Sequence, residues 1–499
     1  MTTTAHSDAL SRTELRRRAS AGMFISASWG LLNLVFGFFG NLVLARLLLP
    51  RDFGLVAVGM TFVAFATAVS DGGLGGGFLR RPETPRRHEL RTLLGVQLSL
   101  TGVLAVAIAI CALPFGRTGA MVAVMITSLP LTALQTPGRM MLARSLLYQR
   151  MAMVDAVGLI VYYGWSIGGV IAGFGVWALA TGAVARALAG SAVIGRASGL
   201  GVLFPSLRGV RALGHVFRFG IRFQAVSMTM VVRDQSLNAA TGLIAGVATL
   251  GLWSFMSRLM QIPLVFFESL WRVSFPAMSQ LLAAKEDPRR AIERGVALSS
   301  VAAGLMLTTF AGAAPELVPG VFGGQWSGAT AIVPWACLAL LVSGPVSVST
   351  VGYLYAMDRP GGVLRASVAL AATWFVVAIG LLPFLGISAL GIGWLAGSVA
   401  DAVILARSTK KLCDVSIVST LVVPISAATA SGALGWMISS TGTGFTAGLT
   451  GGAAAAIAYL AAMFLLRRAL LLETLAAVGR SVSNSLPART SARGIQEPA

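Results

Sequence analysis

Hydrophobic residues come along this chain in long blocks rather than in alternation. A polar opening of about 20 residues ends in Arg16, Arg17 and Arg18, and a charge-free run follows from Gly22 to Ala45. About 20 helical residues at ~1.5 Å each cross the apolar layer of a bilayer, so a run of this length spans it. It is too long for the core of a signal peptide, and no small-residue cleavage site follows. The block is therefore read as a retained first span. The pattern recurs at roughly 53–70, 92–114, 118–138, 152–173, 176–195, 219–240, 248–274, 292–313, 329–356, 362–383, 387–406, 415–438 and 443–466, giving about fourteen spans.

The connections between the blocks alternate in charge. Every second one is basic: Arg80, Arg81, Arg86, Arg87 and Arg91, then Arg139, Arg144 and Arg150, then Arg196, Arg208, Arg211 and Arg218. In the second half come Lys285, Arg289, Arg290 and Arg294, then Arg359 and Arg365, then Arg407, Lys410 and Lys411. The intervening connections hold almost nothing basic beyond Arg46, Arg51 and Arg117. Basic loops stay on the cytoplasmic side, and an error of one helix would destroy the alternation. The expectation is an even number of spans in a cell (inner or plasma) membrane with both termini cytoplasmic. The outward loops are short, so no soluble domain fits in them. From Arg467 the chain turns basic and then rich in Ser, Arg and Pro, as a surface helix followed by a disordered end would.

Composition agrees. Only 11% of the 499 residues are charged and 56% are hydrophobic, against about 25% charged in soluble domains. The net charge of +20 would suggest nucleic acid on a soluble protein. Here the basic residues punctuate apolar blocks, and no nucleic-acid partner is expected. The fold class expected is all-α and polytopic. Cys111, Cys337 and Cys413 lie far apart and form no CxxC pair, and His6, His88 and His215 fall in polar segments. No metal site, disulfide framework or cofactor is implied. Paired carboxylates on a sizeable outward loop, which an enzyme of acid–base chemistry would need, are missing, so the expectation is not an enzyme.

Two tripeptides mark a repeat. Phe53-Gly54-Leu55 opens the second span and Leu250-Gly251-Leu252 the eighth, and the longest cytoplasmic connection separates the first six spans from the rest. Parallel repeats of this kind are a transporter device, although chance similarity between greasy segments gives the same sign. The stretch Leu44–Leu55, with Pro50 and Gly54, is followed by Ser70-Asp71-Gly72-Gly73-Leu74-Gly75. It resembles the opening of polysaccharide flippases of the multidrug/oligosaccharidyl-lipid/polysaccharide exporter superfamily. Arg233-Asp234, Leu250-Gly251-Leu252, Pro263 and Phe275-Pro276 agree with that family, over residues 10–360 in all. Trp253, where the family more often shows Tyr, and the tract Asn238–Gly246 depart from it. The resemblance implies two pseudo-symmetric six-helix lobes plus two C-terminal helices. Its organisation here would be a cytoplasmic tail 1–21, lobes 22–195 and 219–406 joined by a linker 196–218, extra helices 415–466 and a basic tail 467–499. It also implies outward flipping of undecaprenyl-pyrophosphate-linked oligosaccharide, with membrane lipids, a polysaccharide polymerase and glycosyltransferases as partners.

Charges inside spans are expensive and therefore informative. The seventh span holds Arg222, Arg233 and Asp234, and the eighth Arg258, Glu268 and Arg272. In a hairpin turning near Gly242–Gly246, Asp234 and Arg258 fall at one depth, and Arg222, Glu268 and Arg272 at another. Glu268 and Arg272 form an i, i+4 pair, and Arg186 sits in mid-span with no acid in its own helix. Arg186, Arg233, Asp234, Arg258, Glu268 and Arg272 are the candidate lining of a substrate cavity. An excess of Arg suits an anionic cargo, since guanidinium grips phosphate oxygens bidentately. The alternative for each paired Arg is a salt bridge locking two helices. Asp155, Glu316 and Asp401 read as snorkelling or capping groups. Gly72–Gly77 beside Arg80 and Arg81 lacks the Lys-Ser/Thr of a P-loop. With Arg16, Arg17 and Arg18, Arg80 and Arg81 mark where a lipid pyrophosphate would enter, or an anchor on anionic lipid. Rival functions are a lipid II flippase, a drug or cation antiporter and a non-transporting scaffold. Whether Na⁺ or H⁺ is coupled is left open.

Overall fold

A computed structural model describes residues 33, 35–71, 85–208, 210, 228 and 231–485, with side chains as far as 477. Arg16, Arg17, Arg18, Arg80, Arg81, Arg222 and the Gly72–Gly77 stretch lie outside the described residues. The helices are α1 (Val35–Leu47), α2 (Pro50–Asp71), α3 (Arg87–Ala112), α4 (Gly116–Ile126), α5 (Ser128–Ala133), α6 (Thr136–Arg144), α7 (Tyr148–Ile171) and α8 (Trp177–Ser198). They continue with α9 (231–244), α10 (Val247–Leu259), α11 (Gln261–Ala283), α12 (Pro288–Phe322), α13 (Val333–Ala356), α14 (Pro360–Leu385), α15 (Ser388–Lys410), α16 (Ile417–Thr441) and α17 (Gly444–Ser485).

Among the described residues ten stretches are long and apolar enough to cross a membrane, or 11 if α10 and α11 count as one broken span. The third and fourth expected spans share the 47-residue stretch Arg87–Ala133, and α1 and α9 stand at the first and seventh. Each expected span thus has a helix at its position, and the protein is an all-α, multi-pass membrane protein. Proline explains the breaks. The fourth expected span is divided into α4, α5 and α6, with Pro130 and Pro137 in the first turn of the pieces they open, where a missing N–H costs nothing. Pro263 does the same between α10 and α11. α17 is longer than expected and changes direction at Arg467, whose φ of −148° and ψ of 52° are not helical.

The chain forms two compact units. The first comprises the described residues up to Leu259 together with Val321–Ala329 and Ala378–Leu390. Its core is aromatic. Trp326 stacks at 4.1 Å on Phe255 and edge-on at 4.9 Å to Phe53, and Phe322 meets Phe255 at 4.9 Å. The α1 C-terminus leaves carbonyls unpaired, and Ala45 O accepts from both Trp326 Nε1 and Gln325 Nε2 at 2.9 Å. At the crossing of α2 and α10 the backbones touch. A Cβ on Gly54 would stand 1.8 Å from Val247 O, and one on Gly251 would stand 1.7 Å from Pro50 O. Only glycine fits at either place, and the two tripeptides that marked the repeat prove to be each other's neighbours. The contact is reciprocal, each glycine meeting the carbonyl four residues before the other, as in an isologous interface.

The second unit comprises Met260–Gly320, Thr330–Val377 and the described residues from Gly391. Here α11 lies on α13, with Phe267 over Gly344, Ser274 against Gly352 and Trp271 Nε1 donating to Ser347 Oγ at 3.2 Å. Small residues bring α12, α16 and α17 together at Gly312, Gly435 and Gly451, the usual means of close approach where lipid supplies no hydrophobic drive. Tyr459 of α17 donates to Val301 O at 3.2 Å.

Candidate functional site

The first unit brings together two arginines and three uncharged partners. Arg258 reaches from the end of α10 to α1, its Nη1 donating to Asn41 Oδ1 at 2.8 Å. Its guanidinium also lies 5.9 Å from the centre of the Phe53 ring, in cation–π range. Asn41 turns its amide nitrogen to Gly37 O at 2.8 Å and to the Tyr163 hydroxyl at 2.9 Å. Tyr163 donates in turn to Gly37 O at 3.1 Å. The Tyr163 ring lies flat on Gly40, where any Cβ would be within 2.3 Å of it. This holds α7 against α1. From α8, Arg186 lays its aliphatic stem beside Gly158, and both Arg186 and Arg258 lie in electrostatic reach of the Tyr163 hydroxyl.

Charge is not balanced there. Among the described residues no carboxylate lies within ion-pair distance of Arg186 or Arg258. Three acids of this unit's helices are engaged elsewhere. Asp155 pairs with Arg139 at 2.7 Å, and Arg139 is further held by Gln135, itself buried and bonded to Ala187 O. Asp234 pairs with its own neighbour Arg233 at 2.7 Å. Asp52 accepts from Leu49 N at the start of α2. The cluster thus presents two cations, of which Arg258 is held by an amide and a ring face. These partners fix position without neutralising charge.

The predicted lining residues divide. Arg186 and Arg258 meet through Tyr163. Arg233 and Asp234 form a local pair in α9. Glu268 and Arg272 belong to the second unit, both exposed, and the i, i+4 pair does not close to ion-pair distance. Glu316 caps α17, accepting from Gly444 N at 2.6 Å, as its position near a span end suggested. Asp155 is ion-paired instead of capping or snorkelling, and Asp401 is buried at 8% exposure. Sequence reasoning missed Asn41 and Tyr163. Asn41 had a visible signal, an amide in the last turns of a largely apolar first span. Tyr163 had none, because its role comes from contact with a helix 122 residues away.

Both departures from the family pattern meet each other. Trp253 Nε1 donates to Asn238 Oδ1 at 3.1 Å, tying α9 to α10 just below the turn at Gly246, whose φ is 87°. The second unit holds an apolar cavity of about 320 Å³ lined by α12, α13 and α16, with Thr308, Cys337 and Trp436 among its walls. It has none of the charges of the Arg186–Arg258 cluster.

Comparisons with known proteins bear on this geometry. The family described as polysaccharide biosynthesis protein matches residues 43–331. The succinoglycan biosynthesis transport protein ExoT of Rhizobium meliloti (strain 1021) is 29% identical over 316 residues, covering 60% of this chain and 60% of that protein's length. Among solved structures, the lipid II flippase MurJ in an inward closed conformation superposes with a TM-score of 0.69 at 11% identity, over 90% of this chain and 100% of that one. An inward-facing multidrug resistance MATE family transporter of the MOP superfamily gives a TM-score of 0.58 at 14% identity, over 80% and 98%. At these identities the structural matches establish a shared fold.

Proposed function

Because the chain belongs to the polysaccharide biosynthesis protein family, we propose that it is a flippase carrying an undecaprenyl-pyrophosphate-linked oligosaccharide, or a related polysaccharide precursor, from the inner to the outer leaflet of the cell membrane by alternating access. The observation that carries the proposal is the uncompensated pair Arg186 and Arg258 around Tyr163. Moving bare pyrophosphate through hydrocarbon would cost on the order of tens of kcal/mol. Two guanidinium groups within a membrane-spanning unit, each lacking a carboxylate, remove much of that cost by donating N–H bonds to phosphate oxygens. Holding Arg258 with Asn41 and a ring face leaves its charge available to the cargo.

The polyprenyl tail would stay in the bilayer while the headgroup crosses. A cargo of two negative charges moving outward across ~100 mV, inside negative, gains about 4–5 kcal/mol, enough to give the process direction. Polymerase and glycosyltransferases acting before and after the transfer are the implied partners. A lipid II cargo calls for the same anion chemistry and is the second reading. A cation antiporter is disfavoured by a specific observation: Asp155, an acid within a first-half span, is already paired with Arg139.

The test is single substitution of Arg186 and Arg258 by Ala, with Arg233→Ala as the ion-paired comparison, in cells whose surface polysaccharide depends on this protein. Accumulation of lipid-linked oligosaccharide on the inner leaflet is expected for the first two at normal protein levels. Normal export by both would end the anion-cavity reading. Reconstitution with lipid-linked oligosaccharide and with lipid II, scoring leaflet exposure, separates the two cargoes and either from a scaffold.

A further inference from the structure

A buried carboxyl in α15 takes no part in the arginine cluster. Asp401 lies in the second half of that helix and is 8% exposed. Among the described residues no hydrogen bond or ion pair reaches it. One turn earlier on the same face, Ser398 is fully buried and its hydroxyl is also without a partner. Asp155, Asp234 and Glu316 each have a cation or a backbone N–H. Asp401 has neither.

The surroundings offer no counter-charge. Ala402 and Leu405, beside Asp401, share a core with side chains of α11, α12, α13, α14 and α16. α13 and α16 carry no charged residue, and the titratable groups of α13 are Cys337, Tyr353 and Tyr355. On α14 the one cation, Arg365, donates to Gly361 O. On α12, Arg289 pairs with Glu293, Arg294 with Glu473, Glu316 caps α17, and Arg290 is exposed. On α11, Glu268 and Arg272 are exposed, as are Arg407 and Lys410 on α15 itself, and Cys413 borders the core. A bare carboxylate in such a place loses its water and gains nothing in return. A proton is the smallest remedy, and the unpartnered Ser398 hydroxyl lies one turn away on that face.

We propose that Asp401 is the proton-binding site of the transport cycle. In the conformation described here it carries a proton. When another conformation opens α15 to water, the O–H bond breaks, the proton passes to water and the carboxylate remains until it takes a proton from water on the other side. No other bond changes. Proton movement down its gradient is thereby tied to the change of conformation.

The test uses the full-length protein in lipid nanodiscs and follows the C=O stretch of protonated carboxyls by infrared spectroscopy through a pH titration, at low and high Na⁺. The wild type is expected to show at neutral pH a band that Asp401→Asn lacks, that Asp401→Glu and Ser398→Ala displace, and that Na⁺ leaves unchanged. If Asp401→Asn fails to fold, the downshift of the wild-type band in D₂O and its displacement in Asp401→Glu carry the assignment. The absence of any band assignable to Asp401 overturns the proposal, and loss of the band on adding Na⁺ overturns it in favour of a metal cation. This arm needs no cargo and stands apart from the glycan reading. A second arm rests on that reading: surface polysaccharide export should lose its dependence on external pH in Asp401→Asn, and unchanged dependence would refute the coupling while leaving the flippase assignment intact.

Discussion

Adding one methyl group at Gly251 should be enough to unseat the crossing of α2 and α10. A Cβ there would lie 1.7 Å from Pro50 O and 2.8 Å from Gly54 N, where ordinary contact begins at 3.4 Å. The obstacle is backbone, so no rotamer change relieves it, and the helices must part by on the order of 1.5 Å. Overpacking of a well-filled core costs about 1–3 kcal/mol. Here the cost falls at the upper end or beyond, because Phe53 and Phe255 flank the crossing and the ring cluster with Trp326 opens as the helices separate. Against this stands a helical gain of up to ~1 kcal/mol for replacing glycine by alanine. The assay is thermal unfolding of the purified protein in detergent, followed by monodispersity. Gly251→Ala and Gly54→Ala should each melt well below wild type, and the double variant should lose less than the sum, since the first methyl has already parted the helices. Gly102→Ala and Gly164→Ala, which meet nothing within 4 Å, should be neutral or mildly stabilising. A Gly251→Ala protein melting at the wild-type temperature would refute the close crossing.

Asn41→Ala should leave Arg258 without its hydrogen-bond partner and lower export, whereas Asn41→Gln should restore part of it; equal loss in both would show that geometry, not the amide, is at stake. Tyr163→Phe removes the hydroxyl shared by Asn41 and Gly37 but keeps the ring on Gly40, so export should fall more than thermal stability does. A cycle of Arg139→Ala and Asp155→Ala should reveal coupling of about 1 kcal/mol or less for this partly exposed pair, measured by melting. Glu316→Ala should expose the α17 N-terminus and cost about 1 kcal/mol, read as a lower melting temperature that Glu316→Asp partly recovers.

The fold was legible because a bilayer writes it plainly. Each block near 20 apolar residues coincides, among the described residues, with a helix, whole or broken. What stayed hidden was where helices break and who touches whom. The divided fourth span follows from Pro130 and Pro137, a local cause that a hydropathy window averages away. Depth along two helices placed Asp234 level with Arg258 but says nothing of rotation about them, and Asp234 pairs with the adjacent Arg233. Tyr163 lay beyond sequence reasoning for the same reason, and Asn41, visible as an amide in an apolar span, did not disclose its partner: their value comes from a contact between the first and fifth spans.

Departures from a family pattern can be tested for mutual compensation. Trp253 stands where Tyr is more common, and Asn238 opens the tract that fits least well. Taken singly, each weakens the resemblance. Taken together, the indole N–H of one donates to the amide oxygen of the other at 3.1 Å, so the tie between α9 and α10 depends on both residues at once. A partly buried amide left without its donor costs about 1–3 kcal/mol, so either change alone should be more damaging than the pair changed together. The two oddities therefore count as one coupled feature of the hairpin that carries Arg233 and Arg258, and they leave the assignment of the fold untouched.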